Sequence, residues 1–97
     1  MPKKKVTLTD IPVVEVIWYD AEEIGDIGWN NLSDLRKESR KVCPTMRTVG
    51  YCLYHGQNHI SVINTVGPDE SSRLDKIPTG FIQSIQYLRG TTSDVPM

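Results

Sequence analysis

Between Thr45 and Val66 the chain reads TMRTVGYCLYHGQNHISVINTV, two runs rich in β-branched and aromatic residues around the connector His55-Gly-Gln-Asn-His59. A glycine-bearing link of three to five residues between two such runs is a hairpin signal. It commits the centre of the chain to an antiparallel sheet. Upstream, PVVEVIWYD alternates Val14, Val16 and Trp18 against Glu15, Ile17 and Tyr19, the period of a strand with one face buried. Downstream, LDKIP and FIQSIQYL are two further β-rich runs, separated at Pro78-Thr-Gly80 by a link short enough to demand a sharp turn or one narrow helical turn.

Only one stretch has a helical period. In WNNLSDLRKESRK, Leu32 and Leu35 lie one turn apart, Asn31 is placed to cap, and Asp34 answers it in capping-box fashion. Arg36, Lys37, Arg40 and Lys41 fall toward the C-terminus, where they suit the helix dipole. Pro44 is expected to stop the helix and hold Cys43 extended. The sequence thus predicts a mainly β fold of five strands with one short helix between the first two. Five short strands joined by bends favour a partly closed barrel, because closure removes exposed edges. The rival is a flat sheet with the helix covering one face.

At 97 residues the chain is one domain, long enough to bury roughly 60–65% of its unfolded surface. The folded unit is expected over residues 8–89, with a basic arm at 1–7 and a polar tail at 90–97. Eleven Lys and Arg against twelve Asp and Glu give a net charge of -1, which disfavours duplex nucleic acid as a partner. The opening MPKKKVTLTDIP lacks an apolar signal-peptide core, and no segment approaches the ~20 apolar residues of a membrane span. The expectation is a soluble cytoplasmic protein whose two cysteines, Cys43 and Cys52, are reduced.

Two resemblances add to this reading. The turn and final strand from Ile77 to Ile85, with the glycine-containing turn and its I-x-x-I, resemble the Sm-like and SH3-like small barrels. The order Trp18-x-Asp20, Gly28-Trp29, Val49-Gly50-Tyr51 and Ile77-Pro78-x-Gly80-x-Ile82 is similar to small accessory proteins of bacteriophages and prophages. That class includes small inhibitors and sponges of bacterial defence signalling, so the second resemblance implies a phage accessory role.

No complete catalytic motif stands in the chain. Cys43, Cys52, His55 and His59 are zinc-ligand types, but Cys52 and His55 are an odd number of positions apart in one strand and should face opposite ways. Cys52 is expected in the core and the two histidines at the hairpin tip. Asp20, Glu22, Glu23 and Asp26 lack the alternating oxygen ligands and closing glutamate of a calcium loop, and read as a solvated acidic loop. Ser71-Ser72-Arg73 has no glycine-rich turn feeding a helix, and is not a phosphate loop. Neither metal nor cofactor is expected, and an enzyme ranks below any binding role.

Aromatic rings next to cations suit a nucleotide, whose base stacks on a ring while a guanidinium pairs with phosphate. Trp18 belongs to the inward set, with its indole N–H expected on a loop carbonyl. Trp29, flanked by Gly28 and Asn30, either staples against Leu35 or projects. The candidate ligand-binding residues are therefore Trp29, Tyr19, Tyr54, Arg47, Arg73 and Lys76. Small barrels rarely make a deep pocket alone, so the expected seat is a seam between copies of a homo-oligomer. The leading function is a phage sponge for a cyclic nucleotide signal. The alternatives are an adaptor that docks a protein partner, and a single-strand binder of Sm-like type.

Overall fold

The computed structural model describes residues 10–90, so the expectations for the basic arm and for all of the tail beyond Gly90 lie outside it. Its elements are β1 (Val13–Tyr19), α1 (Leu32–Glu38), β2 (Thr45–His55), β3 (His59–Ile63), β4 (Leu74–Pro78), a 3₁₀ turn (Thr79–Phe81) and β5 (Ile82–Arg89). They form one antiparallel sheet in the order β4-β3-β2-β1-β5, with α1 in the β1–β2 connection. The sequence predicted these five strands and this helix.

The two edges of the sheet, β4 and β5, are consecutive in sequence and joined only by the 3₁₀ turn. Five flat strands would hold them about 19 Å apart, at ~4.8 Å per strand. A 3₁₀ turn rises only ~2 Å per residue. The sheet must therefore curl until its edges meet at that corner. It does not close, since β4 and β5 are not paired with each other.

Curling gathers side chains from every strand on the concave side. Val14 and Val16 of β1, Cys52 of β2, Ile60 and Val62 of β3 and Ile77 of β4 are buried together, with Trp18, Ile82, Ile85 and Tyr87 packed against them. Register shifts between β1 and β5 keep Ile82, Ile85 and Tyr87 opposite Trp18, Val16 and Val14. Strand β2 serves two neighbours: Thr45 to Tyr51 pairs with β1, and Tyr51 to His55 with β3. Strands β2 and β3 come closest at Gly50, where a Cβ would overlap the Ile63 carbonyl oxygen and lie 2.8 Å from Val62 Cγ1. Only glycine lets β3 pass this close.

Helix α1 begins as its sequence predicts, with the Asn31 side chain accepting from the Asp34 backbone N–H at 3.0 Å. It ends at Glu38, well before Pro44, and contributes no buried residue. The helix does not cover a face of the sheet, which sets aside the flat two-layer rival. The Trp18 indole also differs from expectation. Its N–H donates to the Thr48 hydroxyl on β2 at 3.0 Å, not to a loop carbonyl, because Thr48 sits opposite Val16 on the neighbouring strand, two residues from Met46, and so lies diagonal to Trp18 on the same face.

Candidate functional site

The convex face of β1 and β2 carries two of the expected ligand residues. Tyr19 stands opposite Thr45, and Arg47 opposite Ile17, so Tyr19 and Arg47 are diagonal neighbours about 7–8 Å apart at the Cα level. Both are exposed. The Arg47 Nε lies 3.8 Å from Glu15 Oε2, a long contact between an exposed guanidinium and a half-buried carboxylate that holds the arginine only weakly.

The β1–β2 connection leaves the sheet at Tyr19 and returns at Thr45, so it is rooted beside this pair. Asp20 N–H donates to the Pro44 carbonyl at 3.0 Å and closes its base. Every residue from Ala21 to Asp34 is exposed, and Trp29 is fully so at 102%. The tryptophan therefore projects and makes no staple with Leu35. Its loop is nonetheless built: Asn30 accepts from the Asp26 N–H at 2.9 Å and donates to the Asp26 carbonyl at 3.1 Å. Gly25 and Gly28 supply the positive φ of 122° and 104° that the two turns need.

The remaining candidates lie elsewhere on the sheet. Tyr54 and Lys76 flank the buried Ser61 in one row across β2, β3 and β4. The Tyr54 ring stacks at a tilt on His59, 4.9 Å between centroids, and closes over Gly56. Arg73 is exposed just before β4. Beside it, Ser72 accepts from the Asn64 and Thr65 N–H groups at 2.9 and 3.0 Å, so the Ser71-Ser72-Arg73 turn is a structural clasp. The fold thus unites Tyr19 and Arg47 at the root of the loop that carries Trp29. It places Tyr54 and Lys76 in a separate row and leaves Arg73 in its own turn.

A polar group inside the curl was not legible in the sequence. The Tyr87 hydroxyl lies 2.6 Å from His55 Nδ1 and 3.9 Å from the sulfur of Cys52, which is itself fully buried. The reading of His55 as a hairpin-tip group facing away from Cys52 is corrected here. A bulge at Leu53 adds one residue between Cys52 and Tyr54, so Cys52 opposes Val62 and His55 opposes Ile60, both core positions. The odd spacing then brings both side chains to one face.

Burial pushes the Cys52 thiol above its ordinary pKa, against the lowering effect of its contacts with Tyr87 and the Tyr54 carbonyl. Burial, with Cys52 adding to it, likewise holds the Tyr87 phenol well above its ordinary value. At neutral pH the pair is protonated, and the thiol is no activated nucleophile. Cys43 is exposed in the connection before β2, at the opposite end of that strand from this group, and no set of three or more His, Cys, Asp or Glu side chains among the described residues could hold a metal ion. No helix among them is long and apolar enough to cross a membrane. No protein-family model, curated protein or solved structure matches the chain.

Proposed function

We propose that this chain is a non-enzymatic binding protein of a phage, a sponge that sequesters a small anionic nucleotide signal, of cyclic type, used in host defence. The observation that carries the reading is Trp29: a full indole held in solvent by a hydrogen-bonded loop, on the same root as exposed Tyr19 and Arg47. Exposing so large an apolar ring is costly, and base stacking recovers about 1–3 kcal/mol per base. A guanidinium beside the rings supplies the phosphate contact. Tyr54 with Lys76, and Arg73, are secondary contacts in this proposal, reached from a seam between copies. The curled sheet, with its edges joined by a 3₁₀ turn, supports a partly closed barrel of the Sm-like or SH3-like kind as the scaffold.

A second reading, a protein-binding adaptor, is favoured by one observation. Thr45 to Tyr51 pairs with β1 on one side of β2, while β3 takes up pairing on the other side only from Tyr51. That leaves a short strand edge on which an extended peptide could add. Native mass spectrometry of the protein purified from infected or lysogenic cells separates the two. A sponge carries a nucleotide-sized mass, and an adaptor carries a polypeptide.

A further inference from the structure

The β1–β2 connection is an unusual use of chain. From Asp20 to Pro44 it spends about a quarter of the molecule on a segment whose helix buries nothing, while Ile27, Trp29, Leu32 and Val42 are 107%, 102%, 64% and 83% exposed. The segment is held by specific bonds: the Asn30 bridge, the Asn31 cap and the Asp20–Pro44 closure. Ordered apolar surface without a core behind it needs cover from outside.

Its charge says what the cover is. The outgoing arm carries Asp20, Glu22, Glu23 and Asp26 and no cation, and the returning arm carries Arg36, Lys37, Arg40 and Lys41 against Asp34 and Glu38, so it stays net basic. The two arms share one base, closed by the Asp20 N–H donating to the Pro44 carbonyl at 3.0 Å, and Lys41 is paired with Glu38 at 2.7 Å within the returning arm. Glu23 and Asp26, and Arg36, Lys37 and Arg40, have no ion-pair partner among the described residues. A surface with an acidic and a basic half around an apolar middle is self-complementary under a twofold axis. Its extent also matches the ~20–30 residues that a stable interface takes from each side.

We propose that a second copy of this chain docks on the Asp20–Pro44 connection about a twofold axis. The acidic arm of each copy meets the basic arm of the other, and Ile27 and Leu32 of both are covered between them, with the two Trp29 rings left along the open rim of the seam. The inference deepens the sponge reading, which takes a seam between copies as the ligand seat, but the association itself requires no ligand.

The test is the mass of the full chain in solution, measured without nucleotide by light scattering. Two variants change one arm each: Glu23→Lys with Asp26→Lys cancels the charge of the outgoing arm, and Arg36→Glu with Arg40→Glu turns the returning arm from net basic to net acidic. All four positions are exposed, so the sheet core is untouched. At about 100 µM, where a Kd of ~10 µM leaves most chains paired, the wild type is expected at twice its 11.0 kDa. Each variant alone is expected at the mass of one chain, because neither then has two arms of opposite sign. Their equimolar mixture is expected to regain the doubled mass, which also shows that both variants are folded. A monomeric wild type overturns the proposal. So do variants that stay dimeric alone, which would place the interface elsewhere, or a mixture that stays monomeric. Because nucleotide is absent, failure here leaves the ligand reading to be judged by its own titration.

Discussion

The Tyr87 hydroxyl lies 2.6 Å from Nδ1 of His55, so β5 at the edge of the sheet is tied across β1 to the inner face of β2. Tyr87→Phe removes that bond and leaves a half-buried imidazole nitrogen without its partner, at a cost of about 1–3 kcal/mol. Stability should also fall in alkali. With the native phenol held above its ordinary pKa, the unfolded chain loses its proton first, near pH ~10. The stabilisation is complete below that pH and is lost as pH rises through the native value. Urea unfolding at about pH 8 and about pH 11 should show this decline in wild type and less of it in Tyr87→Phe.

Gly50 should not tolerate a side chain. Gly50→Ala drives a methyl into the Ile63 carbonyl of an adjacent strand, where backbone has to move, and should destabilise by about 2–3 kcal/mol or more. Gly80→Ala is the matched control. Its Cβ meets nothing within 4 Å, and the change should stay within about 0.5 kcal/mol. Equal effects on thermal unfolding would remove Gly50 as the point that lets β3 approach β2 so closely.

The two tryptophans should separate cleanly. Trp18 is half-buried against the core and bonded to Thr48, so Trp18→Ala should cost toward the lower end of ~3–5 kcal/mol. Trp29→Ala, at a fully exposed position, should change stability by no more than about 0.5 kcal/mol at concentrations where the chain is monomeric. Denaturant midpoints measured on dilute protein check both values.

These tests fall on features of unequal legibility. Local chemistry was readable: the Thr45–His55 strand, the Gly56–Asn58 connector, the Asn31 cap and the inward set Val14, Val16 and Trp18 all follow from period, capping and turn residues. Strand period failed where one residue was inserted. The bulge at Leu53 reverses parity, and no local signal in CLYH announces it. Pairing was equally hidden. That Thr48 would reach the Trp18 indole, or that Arg89 would donate to the Ile11 carbonyl at 2.6 Å, depends on register between strands far apart in sequence. The candidate site shows the same division. Sequence could select Tyr19, Arg47 and Trp29 by residue type, but only the register unites the first two and sets Tyr54 and Lys76 apart.

Calorimetric titration of the wild type and Trp29→Ala with a panel of cyclic di- and trinucleotides tests the central claim most directly. The account predicts that at least one member binds wild type, and that losing the Trp29 ring weakens it by about 1–3 kcal/mol, roughly 5- to 150-fold. A folded wild-type protein that binds none of the panel would contradict the sponge reading and leave the protein-binding adaptor in its place. Equal binding by the two proteins would remove Trp29 from the site.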